Sequence, residues 1–130
     1  MSDAPVGPLH AFIVEDSPVI RENLIAALEE MAPLVVVGTA ADEAGAVNWL
    51  CDPHHACDLA IVDLFLQAGS GLGVLRALQR RRPGLHCVAL TNYASDDMRR
   101  ACTALGASRV FDKSGEIDDL VDHCIALAAP

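Results

Sequence analysis

The sequence is poor in positive charge. Its 130 residues hold 9 lysines and arginines against 18 acidic residues, a formal net charge of −9, and Lys113 is the single lysine beside eight arginines. A nucleic-acid or anionic-membrane surface needs a basic footprint, so neither is expected as a direct partner. The chain also lacks any apolar run near the roughly 20 residues that span a bilayer. Met1 to Pro8 lack the basic start and apolar stretch of a secretion signal and read as a short flexible leader, with one domain over 9–130. There is no internal repeat, low-complexity tract or internal linker. A paired cysteine framework is missing too. Cys51, Cys57, Cys87, Cys102 and Cys124 are an odd set, and Cys87 lies inside an apolar, strand-like run. With no export signal, reduced thiols in the cytoplasm are the expectation.

Just over half of the residues are apolar, 52%, enough for a real core in a chain the size of one domain. Short apolar runs alternate five times with segments of helical period. The runs are Ala11 to Val14, Val35 to Val37, Leu59 to Val62, Cys87 to Leu90 and the weaker Val110-Phe111. Continuous rather than alternating apolar character suits strands buried on both faces of a parallel sheet. Ser17-Pro18 makes a good helix start, a hydroxyl cap followed by proline at the first helical position. Ile20, Leu24, Leu28 and Met31 then predict one apolar face; Ala44, Val47 and Cys51 a second helix; Leu72, Leu75 and Leu78 a third. Met98, Ala101, Cys102 and Leu105 mark a fourth, and the run from Ile117 to Ala128 a fifth. Such a (βα)5 alternation implies an α/β domain with right-handed crossovers and helices on both faces of a parallel sheet.

Ligands of open parallel sheets bind where the strands end. The first strand ends in Glu15-Asp16, the third in Asp63 and the fourth in Thr91, while the fifth leads through Asp112 into Lys113. Three carboxylates, a hydroxyl and an ammonium therefore meet at one edge. Packed carboxylates repel, so either one keeps its proton or a cation joins them. Oxygen-only ligands favour a hard metal, and Mg²⁺ is the usual choice beside phosphate. Lys113 and Thr91 add what a transferring phosphoryl group needs, a point charge and a hydrogen-bond donor. Singly, each could be a helix cap or a solvated turn residue; together they make a pattern.

In these residues the chain resembles the response-regulator receiver family over about Leu9 to Leu127. The motifs are Phe-Ile-Val-Glu15-Asp16-Ser, Ile-Val-Asp63-Leu, Gly71-Leu72, Ala-Leu-Thr91, and Gly106-Ala107 ahead of Lys113. The resemblance implies a doubly wound, flavodoxin-like five-stranded parallel sheet in the order 2-1-3-4-5. It implies that Asp63 accepts a phosphoryl group from a phosphohistidine on a histidine kinase or His-phosphotransfer protein. Asp16 and Asp63 would hold Mg²⁺ directly, Glu15 through water, and the Phe65 backbone carbonyl would complete the protein ligands. Lys113 would pair with the phosphoryl group, and Thr91 would reach it and carry the signal outward. Helix four, strand five and helix five form the face through which such domains meet a downstream protein or pair with themselves. Phe65 and Tyr93, two residues beyond Asp63 and Thr91, flank the expected path of hydrolytic water, and two aromatics there predict a long-lived phosphoryl state.

The sequence departs from the family pattern at several points. Val110 stands where a switching Tyr or Phe is usual, and Phe111 beside it points the other way on a strand. Ser114 follows Lys113 where proline is typical, Gln67 replaces a common proline, and Asn92 a small residue. Among weaker signals, Cys51, His54, His55 and Cys57 lack the paired spacing of a structural zinc site. Arg80-Arg81-Arg82 complement a helix dipole, and Trp49 reads as packing. Three rivals differ in chemistry. An aspartyl phosphatase would place a second acid where Phe65 stands. A flavin-binding domain would need a phosphate loop where Glu15-Asp16 repel phosphate. A pseudo-receiver would act by protein contact alone. No turnover enzyme is expected.

Overall fold

A computed structural model describes residues 7–129. Ten elements alternate: β1 (Leu9–Val14), α1 (Pro18–Met31), β2 (Leu34–Ala40), α2 (Glu43–Leu50), β3 (Leu59–Asp63), α3 (Gly71–Arg81), β4 (His86–Thr91), α4 (Asp96–Ala104), β5 (Arg109–Asp112) and α5 (Ile117–Ala128). The five strands pair in parallel throughout, in the order β2-β1-β3-β4-β5. This is the flavodoxin-like α/β order expected. Of the expected leader, residues 1–6 lie outside the described residues; Gly7 and Pro8 precede β1 without regular structure.

The continuous apolar runs are explained by two cores. Phe12, Val14, Ala60, Val62, Ala89 and Val110 face α2, α3 and α4 on one side, where Ala46, Leu50, Val74, Leu75, Leu78 and Cys102 meet them. Alternate residues Ala11, Ile13, Leu59, Ile61, Val88, Leu90 and Phe111 face Leu24, Leu28, Leu120 and Cys124 of α1 and α5. Successive strand side chains point to opposite faces, so both residues of each pair must be apolar.

Helix starts obey local rules. Ser17, Asp42, Ser70 and Ser95 each accept a hydrogen bond from a first-turn N–H, and Pro18 opens α1. Three expected faces hold in part, with Val47 and Cys51 of the second helix and Met98 and Leu105 of the fourth packed against the core. In α2 the buried positions are Ala46 and Leu50, and Ala44 is exposed; starting the helix at Glu43 sets that i, i+4 pair inward. In α1 only Leu24 and Leu28 are fully buried. Ile20 lines an open groove between α1 and α5 of about 440 Å³, and Met31 in the last turn is exposed. In α4 Cys102 is buried while Ala101 faces out.

Trp49 stacks on Phe12 at 4.5 Å and on His55 at 4.1 Å between ring centroids, which confirms a packing role. Gly38 of β2 leaves room for this stack: a Cβ there would lie 2.9 Å from the Phe12 ring. Arg82 does more than face a helix dipole. Its guanidinium donates to the Leu50 carbonyl at 2.8 Å and the His55 carbonyl at 2.7 Å, tying the α2–β3 connection to the end of α3.

Candidate functional site

Val14 pairs with Val62 across β1 and β3, so Glu15-Asp16 and Asp63 emerge side by side. Leu90 of β4 pairs with Asp63, and Thr91 pairs with Asp112 of β5, which brings Thr91 and the following Lys113 to the same edge. The Lys113 N–H donates to the Thr91 carbonyl at 2.9 Å and fixes that join. Glu15, Asp63 and Thr91 are each no more than 4% exposed.

The Lys113 ammonium bridges the acids, 2.5 Å from Glu15 Oε1 and 3.0 Å from Asp63 Oδ2. Glu15 Oε2 also accepts from the Ser17 N–H at 3.1 Å. Burial nevertheless holds the Glu15 carboxyl above its ordinary range, the Lys113 and Ser17 bonds pull it down, and Asp63 adds like-charge repulsion. Burial works against the Lys113 charge, but its bonds to Glu15 and Asp63 prevail and raise its pKa. Both shifts are upward but for different reasons: at Glu15 burial outweighs the bonds, whereas at Lys113 the bonds to two carboxylates outweigh burial.

Among the described residues, Glu15, Asp16 and Asp63 form one group able to hold a metal ion. One carboxylate oxygen from each lies within 4.8 Å of the others. The donor set is entirely oxygen, which suits a hard cation. Cys51, His54, His55 and Cys57 are drawn elsewhere: His55 Nδ1 bonds the Trp49 carbonyl, His54 bonds Asp52, and Cys57 Sγ donates to main-chain carbonyls.

Several contacts around the site were not foreseen. The Arg21 guanidinium donates to the Glu15 carbonyl at 3.0 Å, from the turn of α1 after its cap. The Gln67 N–H donates to Asp16 Oδ2 at 2.8 Å, and the Phe65 N–H to Asp63 Oδ1 at 3.3 Å. Gly71 opens α3 directly against the end of β3: a Cβ there would lie 2.1 Å from the Asp63 carbonyl oxygen and 2.6 Å from Leu64 Cα. The Thr91 hydroxyl accepts from the Tyr93 N–H at 3.1 Å. Phe65 and Tyr93 are 58% and 78% exposed, not packed away in a core.

Beyond Thr91, Arg99 gathers the corner of α4, β5 and α5. It donates to the Ala94 carbonyl at 3.1 Å, the Val110 carbonyl at 2.8 Å and Glu116 Oε1 at 2.9 Å. Val110 is buried toward α4, and Phe111 is buried on the opposite face against α1 and α5. The strand alternation behind that difference was legible; the Arg99 bonds were not, because they join residues up to 17 apart in the chain.

The profile described as the response regulator receiver domain matches residues 11–125. The chain belongs to the response regulator receiver domain family. This receiver is 36% identical over 97 residues to the DNA-binding transcriptional activator DevR/DosR of Mycobacterium tuberculosis, covering 75% of this chain and 44% of that protein. It is 34% identical over 73 residues to the photosynthetic apparatus regulatory protein RegA of Rhodobacter capsulatus, covering 56% of this chain and 40% of the relative. The chain therefore spans less than half the length of these two relatives. In fold it is similar to the response regulator domain of Thermotoga maritima CheB, with a TM-score of 0.82 at 16% identity, covering 95% of this chain and 99% of that one. A LuxR-family two-component response regulator from Aurantimonas aligns with a TM-score of 0.84 at 22% identity, over 94% of this chain and 86% of that one. Among the described residues no helix is long and apolar enough to cross a membrane.

Proposed function

We propose that this receiver takes a phosphoryl group onto Asp63 from a phosphohistidine of a histidine kinase or His-phosphotransfer protein in the cytoplasm. A carboxylate oxygen of Asp63 attacks phosphorus, the P–N bond breaks, and the imidazole nitrogen keeps the electron pair. The product is an acyl phosphate on Asp63. The observation that carries this reading is the Lys113 ammonium, 3.0 Å from Asp63 Oδ2, inside a pocket of three carboxylates. A phosphoryl group on Asp63 would meet a positive charge already in place, at no cost in reorganisation.

Mg²⁺ is the metal proposed, held by Asp16, Asp63 and the Phe65 carbonyl, with Glu15 through water; bound there, it offsets the charge on the transferring phosphoryl oxygens. Thr91 gives the phosphoryl group a hydroxyl donor. Its oxygen can keep accepting from the Tyr93 N–H while its O–H donates, so a rotation of Thr91 toward the phosphoryl group draws on the start of the loop that Arg99 holds at Ala94. That movement reaches α4, β5 and α5 without an aromatic at position 110 and alters the face offered to a downstream protein or to a second copy. No turnover enzyme is proposed, since the residue two places after Asp63 is Phe65 and carries no acid. Exposed Phe65 and Tyr93 flank the site and hinder hydrolytic water.

Intact mass after incubation with a small acyl phosphate, with and without Mg²⁺, tests the reading on wild type and Asp63→Asn. A Mg²⁺-dependent phosphoryl adduct absent from the variant supports it. Absence of an adduct from both the small donor and a phosphorylated His-phosphotransfer domain favours the alternative, a phosphorylation-independent interaction module. That alternative draws on Val110 and Ser114, which depart from the family pattern. Phosphoryl lifetime in Phe65→Asn tests the water barrier: a shorter lifetime is expected, and an unchanged one removes the aromatic explanation.

A further inference from the structure

We propose that Glu43 is a positioning residue for the metal-binding loop between β3 and α3, acting from the neighbouring helix α2. The inference rests on the reading above, that this edge binds Mg²⁺ and Asp63 accepts a phosphoryl group.

Glu43 grips the loop twice. Its N–H donates to the Ala68 carbonyl at 3.2 Å, and its Oε1 accepts from the Ser70 N–H at 2.8 Å. The loop is shaped to receive the side chain. Gly69 has a φ of +82°, and a Cβ on it would lie 2.4 Å from Glu43 Cβ; a Cβ on Gly73 would lie 2.5 Å from Glu43 Oε2. Two glycines four residues apart, one in the loop and one in the first turn of α3, thus form a cradle that the Glu43 carboxylate fills. Glycine within a helix lowers its stability, so the opening at Gly73 has a cost that the fit of Glu43 explains.

The grip reaches the expected metal ligand in one step. Ser70 lies opposite Phe65 in an isolated antiparallel bridge, closed by the Gly71 N–H donating to the Leu64 carbonyl at 3.1 Å. Phe65 and Ser70 are the non-hydrogen-bonded pair of that bridge, so the Ser70 N–H turns away from Phe65 to Glu43 and makes no claim on the Phe65 carbonyl. The other end of the loop is tied to the site itself, through Gln67 to Asp16 and Phe65 to Asp63. Glu43 therefore sets the far anchor of a loop whose near anchor is the carboxylate trio. Groups that orient metal ligands from outside commonly change affinity by about 10–100-fold when removed. A ligand supplied by a loop carbonyl falls in that class.

The test is a calorimetric Mg²⁺ titration of the intact chain, paired with the Mg²⁺ midpoint for phosphoryl incorporation from a small acyl phosphate. Glu43→Ala is expected to raise both midpoints about tenfold, with full incorporation restored at saturating Mg²⁺. Glu43→Gln keeps a carbonyl acceptor for Ser70 and is expected to recover most of the affinity. Gly73→Ala should weaken Mg²⁺ binding by displacing the carboxylate, and should add nothing in the Glu43→Ala background. There the new methyl meets no carboxylate, and thermal stability should rise through better helix propensity. Wild-type midpoints in folded Glu43→Ala, or additive effects of the two substitutions, overturn the positioning role while leaving the phosphoryl-acceptor reading intact. A wild-type chain that neither binds Mg²⁺ nor takes a phosphoryl group overturns both.

Discussion

Glu15 and Glu116 have the same kinds of partner and respond in opposite ways. Glu15 accepts from the Lys113 ammonium at 2.5 Å and the Ser17 N–H at 3.1 Å. Glu116 accepts from the Arg99 guanidinium at 2.9 Å and the Asp112 N–H at 2.7 Å. Yet burial, with Asp63 beside it, holds the Glu15 carboxyl above its ordinary range, whereas the Arg99 and Asp112 bonds hold Glu116 below it. The side chain of Glu15 is almost wholly enclosed, while that of Glu116 is about one-third exposed. Counting bonds does not give the sign of the shift; solvation and the nearest like charge do. The carboxylate edge holds like charges together that a cation would relieve, and the α4–β5–α5 corner is a partly solvated latch in which Arg99 faces Glu116 and Asp112.

The sharpest way to break this contrast is to remove the cation from the buried side. Lys113→Met should destabilise the chain by about 3–5 kcal/mol, because it strands carboxylates that have left water. Urea denaturation measures this, and added Mg²⁺ should return part of the loss. An unchanged midpoint would mean that the ammonium does not offset the acidic pocket. Gly71→Ala comes next. Its methyl would press on the Asp63 carbonyl, at a cost of about 1–3 kcal/mol for overpacking, and phosphoryl incorporation at Asp63 should fall with it. Wild-type incorporation and stability together would show that β3 yields to the methyl.

At the corner, smaller effects are expected. Arg99→Ala removes three hydrogen bonds from a partly exposed side chain, for about 1 kcal/mol. Hydrogen exchange should quicken in α4 and the loop at Ala94, with Mg²⁺ affinity unaltered; equal protection in variant and wild type would dismiss the latch. The pH dependence is the finest probe. Glu116 titrates lower in the folded chain than in the unfolded one, so its pairing stabilises fully above the ordinary carboxylate range. That contribution fades as pH falls through the depressed folded value. Melting temperature followed down the acid limb should therefore drop less steeply in Arg99→Ala than in wild type.

Much of the site was legible because strand ends are local features. Glu15, Asp16, Asp63, Thr91 and Lys113 each close or follow an apolar run, and a parallel sheet delivers every such end to one edge. The inward face of α2 was read only in part: Val47 and Cys51 pack against the core, but Ala44 faces out and the fully buried pair is Ala46 and Leu50, because an eight-residue helix of small and apolar residues carries little periodic signal. Arg21, Arg82, Arg99 and Glu43 were missed for another reason. Each acts on main-chain groups of a different element, and no residue pattern marks a carbonyl or an N–H as the partner.

The sequence alone determined the alternation of elements, the cap at Ser17, and the convergence of acids, hydroxyl and lysine, since these depend on short-range pattern and on parallel connection. Only the tertiary structure decided that Lys113 bridges Glu15 and Asp63, that Glu43 fills the space left by Gly69 and Gly73, and that Arg99 binds the carbonyl of Val110. Those contacts depend on distances between elements, which are set by how side chains pack between the sheet and its helices. Two-fold and 3.6-fold periods show which face turns inward, but they carry no information about which atom it meets there.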